Sequence, residues 1–234
     1  PRPAPRRRWG ALHRQPEAMT RKRIGVLISG RGSNLQALIN ACQKRDYPAE
    51  IVLVISNVPL AQGLLRAEAA LIPTLTIDHK DFPSREDFDA ALDTALNEAG
   101  VELLCNAGFL RLHTAGFVER WRDRHLNVHP SLLPAFRGLR SHERVIAAGC
   151  KITGCTIHFV RAGMDEGPIV AQAAVPVLAS DTAETLAVRV LEAEHHLYPH
   201  ALALVASGAV FVKGERVFDS NDQAQVPLFS PPLA

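Results

Sequence analysis

The sequence predicts an α/β fold: a Rossmann-like, mostly parallel sheet with helices on both faces, followed by a long C-terminal helix and a small hairpin. Two observations predict it. Short, uniformly apolar runs alternate with stretches of helical period, the pattern of strands buried on both faces and joined by crossover helices. The first apolar run also ends in a glycine-rich turn that leads straight into a helical pattern, as a βα unit does.

The first run is Ile24-Gly25-Val26-Leu27-Ile28-Ser29, and its turn is Gly30-Arg31-Gly32-Ser33-Asn34. Leu35, Leu38, Ile39 and Cys42 then recur at i, i+3, i+4, i+7 spacing, which marks a helix. Residues 51–56 form a second strand, 60–71 a helix, and 74–77 a third strand. Ser84 followed by Glu86 and Asp87 is a helix start, with acids against the dipole, for a helix to about Glu98. Residues 101–106 read as a fourth strand and 126–129 as the end of a fifth, stopped by Pro130, which has no N–H for a ladder. Beyond it come a helix at 141–148, strands at 153–160 and 169–178, and a helix at 182–207 with Pro199 as a possible kink. A hairpin across Gly214 completes the fold.

A length of 234 residues suits one large domain, read as 24–220. Residues 1–23 hold eight Arg/Lys against one Glu, so a chain of net charge +2 has a mildly acidic body behind a strongly basic, disordered leader. The leader lacks the apolar block of a secretory signal, and no run is long enough to span a membrane. An Arg-rich, acid-poor leader suits a transit peptide or an arm that binds polyanions, and it also reads as a tail or as sequence upstream of a start at Met19. Residues 221–234 read as a loose tail. The acidic body speaks against a nucleic-acid partner. Cys42, Cys105, Cys150 and Cys155 show no C-x-x-C spacing and read as buried thiols of a cytoplasmic protein.

Asn127 and His129 sit two apart at a strand end and so point the same way. An amide beside an imidazole can hold a carbonyl oxygen and move a proton near neutral pH. Each residue taken singly has a structural reading too. His129 and His158 also suit a satisfied core, and Asp165, in the loop Ala162-Gly163-Met164-Asp165-Glu166-Gly167-Pro168, also suits an Asx turn. The turn at 30–34 suits either a phosphate or a backbone that merely needs glycine. Arg85 reads as a neighbour of a helix cap, Arg111 as an anion partner or a solvated charge, and Glu194 as a solvated helix charge. No zinc spacing is present, so no metal is expected. Ligands on parallel sheets bind beyond the carboxyl ends of strands, which gathers 30–34, 108–111 and 127–129 at one edge.

Ser29-Gly30-Arg31-Gly32-Ser33-Asn34-Leu35, Ala107-Gly108-Phe109, Asn127 through Pro134 and Met164-Asp165-Glu166-Gly167-Pro168 occur in this order. Together they resemble the phosphoribosylglycinamide formyltransferase family, over about residues 24–218. The resemblance implies transfer of a formyl group from 10-formyltetrahydrofolate to glycinamide ribonucleotide, in a monomer or homodimer. It implies Asn127, His129 and Asp165 as the catalytic set. It implies Gly32, Ser33 and Asn34 at the nucleotide phosphate and Glu194 at the ribose. Arg85, Leu110, Arg111, Leu112, His113 and Asn127 would hold the folate, with the backbone of Arg161, Ala162, Gly163, Met164 and Asp165. The same catalytic set occurs in formyltetrahydrofolate deformylases and methionyl-tRNA formyltransferases. The glycine turn after the first strand, and a fold expected to start at Ile24 and end too soon for a second domain, favour the glycinamide enzymes. Arg140-Ser141-His142 departs from the His-Thr-His that many members carry. Two rivals are a hydrolase of the same fold and a non-catalytic nucleotide-binding domain.

Overall fold

The computed structural model describes residues 20–220 and 230. The expected leader therefore lies outside the described residues up to position 19, as does the tail beyond 220 except Ser230. Lys22 and Arg23, counted with the leader in the sequence reading, instead open the first strand.

The strands are β1 (Lys22–Ile28), β2 (Ala49–Ser56), β3 (Thr74–Thr76), β4 (Leu103–Asn106), β5 (His125–His129), β6 (Ile152–Phe159) and β7 (Ile169–Pro176). They form one seven-stranded sheet in the order β3-β2-β1-β4-β5-β6-β7. The first five pair in parallel, and β6 and β7 join antiparallel at one side. Pro176, which has no N–H to give a ladder, ends the edge strand β7. The hairpin is a separate pair, β8 (Val210–Lys213) and β9 (Arg216–Asp219).

Helices α1 (Ser33–Cys42), α2 (Gln62–Ala69), α3 (Arg85–Glu98), α4 (Ala115–Arg120), α5 (Ser141–Ala147) and α6 (Ala183–Ser207) connect and cover the sheet. Alternation along β1 sorts the core in two. Ile24, Val26 and Ile28 face a layer with Leu35 and Leu38 of α1 and Leu186, Val190 and Leu202 of α6. Leu27 faces the other layer, with Phe88, Leu92 and Leu96 of α3 and Phe117 and Trp121 beyond it. Gly25 shares that face because α3 passes close by: a Cβ there would lie 2.7 Å from Leu96 Cδ2.

Helix α4 was not expected. It is six residues long with Gly116 inside it, and buries Phe117 and Val118, too little to show a period. Its start is set by Thr114, whose hydroxyl accepts the Phe117 N–H. Helix α6 begins with a capping box between Thr182 and Thr185 and runs through Pro199 as one 25-residue element.

Candidate active site

Strands β1, β4 and β5 are parallel neighbours, so their carboxyl ends meet at one edge of the sheet. The strand order changes direction between β1 and β4, where a crevice opens in such sheets. Direct hydrogen bonds join two of the turns there. Ser29 N–H donates to Gly108 O at 3.1 Å, and Leu110 N–H donates to Ser29 Oγ at 2.9 Å.

The turn after β1 depends on glycine twice over. Gly32 has φ 70°, left-handed, and a Cβ there would lie 2.6 Å from the Gly63 Cα. This conformation starts α1 with no side-chain cap, leaving its first N–H groups without an intrahelical partner. Asn34, in the first turn, donates from Nδ2 to Glu194 Oε2 at 2.7 Å. Glu194 is 6% exposed, so it is not the solvated helix charge its sequence context suggests. Burial pushes its carboxyl above the ordinary range, with the Asn34 hydrogen bond opposing. The Asn34 Oδ1 is buried without a partner among the described residues.

At the end of β5, His129 is buried and paired at both ring nitrogens. Nδ1 lies 3.2 Å from Asp165 Oδ2, and Nε2 lies 3.0 Å from Phe136 O. Both partners are acceptors, so the ring satisfies both contacts only with a proton on each nitrogen. Asp165 Oδ2 also accepts the Gly138 N–H at 2.7 Å, which ties the 161–167 loop to the loop after β5. Phe136, Arg140 and Asp165 all have left-handed backbones, with φ of 54°, 54° and 50°. Each such residue costs about 1–2 kcal/mol, and strain of this kind gathers at functional sites.

Asn127 faces His158 across the β5–β6 pair. The His158 Nδ1–H donates to Phe159 O at 3.0 Å, and Nε2 lies 3.3 Å from Asn127 Nδ2. Burial holds His158 below the ordinary histidine value, so the ring is neutral and its Nε2 accepts from the amide. His158 is thus a core histidine that also orients Asn127, leaving the second amide N–H for another partner.

Sequence reading missed the brace behind His129. Thr156 Oγ1 donates to Ser131 O at 2.7 Å and accepts from Leu133 N and Gln172 Nε2, at 3.0 and 2.9 Å. It ties the loop after β5 to β7, whose Gln172 also donates to Leu133 O at 2.9 Å. No local signal marks it, because Thr156 meets His129 only through strand pairing.

The residues assigned to a folate fall in two places. Leu110 and Leu112 are exposed, at 78% and 57%, and the Arg111 and Arg85 side chains are also at the surface. Among the described residues the backbone of Arg111, Leu112 and His113 finds no hydrogen-bond partner. The imidazole of His113 does not join them: it is buried, stacked between Phe109 and Phe117, with Nδ1 3.1 Å from Asp89. Arg161, Ala162 and Gly163 border a cavity of about 650 Å³ that also touches Val118, Glu166 and Glu215. Met164 is exposed on the loop that carries Asp165. Free backbone groups beside exposed apolar side chains at 110–113 fit a ring system with apolar faces and a polar edge. Among the described residues no group of three or more His, Cys, Asp and Glu is placed to hold a metal ion.

A family profile described as formyl transferase matches residues 22–202. The trifunctional purine biosynthetic protein adenosine-3 of Gallus gallus is 53% identical over 201 residues, which are 86% of this chain and 20% of that protein. The phosphoribosylglycinamide formyltransferase of Haemophilus influenzae is 41% identical over 192 residues, covering 82% of this chain and 91% of its own length. The crystal structure of glycinamide ribonucleotide transformylase 1 from Symbiobacterium toebii superposes with a TM-score of 0.83 at 48% identity, covering 85% of this chain and 94% of that one. The chain therefore spans about a fifth of the trifunctional relative and nearly all of the single-function one. On profile, sequence and fold together, the chain belongs to the phosphoribosylglycinamide formyltransferase family.

Proposed function

We propose that this chain transfers the formyl group of 10-formyltetrahydrofolate to the amine of glycinamide ribonucleotide, giving formylglycinamide ribonucleotide and tetrahydrofolate in de novo purine (IMP) biosynthesis. The observation that carries the reading is the pairing of His129 with Asp165 beside Asn127 at the end of β5. The folate supplies an activated formyl carbonyl, and the amine attacks its carbon. The second Asn127 N–H and a His129 N–H hold the oxygen as negative charge develops there, each donor contributing about 3–4 kcal/mol. Nδ1 keeps its carboxylate partner. Nε2 meets only the Phe136 carbonyl, so that contact is the one exchanged for the formyl oxygen. Asp165 fixes the ring's orientation and helps move a proton from the attacking amine toward the leaving nitrogen.

Gly32, Ser33 and Asn34 take the nucleotide phosphate at the start of α1, where free N–H groups and the helix dipole favour an anion. Glu194, already held by Asn34, takes the ribose. Arg85, residues 110–113 and the 161–165 backbone take the folate. Holding both substrates turns a bimolecular reaction into one within a complex, where orientation lowers the barrier. Residues 22–220 make up the formyltransferase domain, its start moved to Lys22, where β1 opens.

The cytoplasm is the proposed compartment, supported by four cysteines that are all free thiols. Among the described residues no helix is long and apolar enough to cross a membrane. The test is a spectrophotometric assay of folate release with and without glycinamide ribonucleotide. Release that requires the ribonucleotide is the expected result. Release at the same rate without it would make the chain a hydrolase, and no turnover at all would favour a binding domain.

A further inference from the structure

We propose that Asp89 and His113 form a positioning pair that sets the folate-binding backbone of residues 111–113. The proposal rests on the reading of residues 110–113 as part of the folate site. The segment leaving β4 is pinned at its head by Ser29, through Gly108 O and the Leu110 N–H. Its tail is pinned by one carboxylate on α3, for Asp89 accepts the Thr114 N–H at 2.6 Å and faces His113 Nδ1 at 3.1 Å. Between these pins the backbone has no partner among the described residues, and Leu110 and Leu112 point to solvent. The two pins are the hydrogen bonds that set where the free N–H and C=O groups of 111–113 sit, with the His113 ring packed between Phe109 and Phe117.

Packing does not account for the pair. His113 stacks on Phe109 at 5.1 Å and on Phe117 at 4.4 Å, places an aromatic hydrocarbon fills equally well. Asp89 is 4% exposed, and exchanging a buried polar pair of this kind for apolar side chains is often neutral or stabilising. Burial works to raise the Asp89 carboxyl, yet the His113 and Thr114 hydrogen bonds outweigh it and hold it below the ordinary range. An ionised carboxylate only accepts, so it keeps the His113 proton on Nδ1 and fixes the ring's orientation. The other ring nitrogen is buried without a partner among the described residues, so Asp89 is the polar group that orients the ring. This geometry specifies a backbone position.

Two substitutions separate positioning from packing. His113→Phe keeps the stack and loses the bond to Asp89. His113→Asn keeps an N–H where Nδ1 was and loses the stack. With His113→Phe, the Kd for tetrahydrofolate by calorimetry is expected to rise about tenfold, the loss of one hydrogen bond to a charged group. Amide exchange over residues 110–114 should quicken and Tm should fall, because Asp89 is left a buried carboxylate without its histidine, while ribonucleotide affinity stays near that of the parent. With His113→Asn, folate affinity should stay near the parent while Tm falls. Parental folate affinity in His113→Phe, or affinity that follows Tm across both variants, overturns the proposal. Leu112→Asp tests the underlying site: an unchanged folate Kd there overturns both the site reading and the pair's role. A weakened Leu112→Asp beside a parental His113→Phe overturns the pair's role alone.

Discussion

His129 combines a charged partner on one nitrogen with a replaceable carbonyl on the other, which suits a group that must stay protonated while handing a donor to substrate. Replacing it removes an oxyanion donor and leaves the phosphate turn untouched. His129→Ala should lower kcat by about 10²–10³-fold with ribonucleotide Kd nearly unchanged, as steady-state kinetics and calorimetry would measure. Near-parental turnover would remove His129 from the chemistry. Glu194 makes a different prediction, through pH. Its folded-state value is raised, so its contribution to stability is fully present below the unfolded carboxylate value of about 4.3 and is lost as pH rises through the folded value. The ligand-free parent should therefore lose Tm relative to Glu194→Gln between pH 5 and pH 8. A Tm difference independent of pH would contradict this sign.

Among the elements, the start of α1 carries the sharpest stereochemical demand. Gly32 needs a left-handed backbone and lies against Gly63 of α2, whose N–H bonds Gly30 O at 3.0 Å. Gly32→Ala should destabilise by at least about 1–2 kcal/mol from the backbone alone, with more from the displaced α2, and should weaken ribonucleotide binding. Urea unfolding with a binding titration tests both. A fully stable variant would show that α2 moves aside freely. The loop that carries Asp165 is tethered by charge at its base. Arg161 bonds Asp123 at 2.7 Å and Glu215 at 2.8 Å, joining that loop to the hairpin turn.

Over the whole molecule, Tyr198 links the long helix to the site's two strands. Its hydroxyl, wholly buried, lies 3.0 Å from Asn106 O and 3.3 Å from Leu126 O. Burial raises its ionisation well above the ordinary tyrosine value, so it remains a donor. Tyr198→Phe should cost about 1 kcal/mol and lower Tm by a few degrees, with kcat nearly kept, because the carbonyls it serves lie behind Asn127. Calorimetric melting and kinetics would show it. A large kcat loss at unchanged Tm would mean the strand ends are set by this hydroxyl. Three of the four thiols are equally withdrawn: burial pushes Cys42, Cys105 and Cys155 up to about 12.

The layered fold, the strand ends that carry the site and the glycine turn were legible in the sequence because each rests on local pattern. Uniformly apolar runs, helical spacing, caps and breakers act within a few residues of one another. Helix α4 was not legible, being too short to show a period. Of the partners of the site residues, Asp165 facing His129 was legible only as one of two readings of its loop, and Glu194 facing Asn34 was not legible. Asp165 meets His129 across 36 positions and Glu194 meets Asn34 across 160, so no spacing announces either pair. The same holds for Asp89 under His113, and for Thr156 behind the loop after β5. Sequence alone determined which residues carry hydrogen-bonding and proton chemistry and at which end of the sheet they lie. The tertiary structure decided which of them face each other, because burial and orientation are set by contacts between segments distant in the chain.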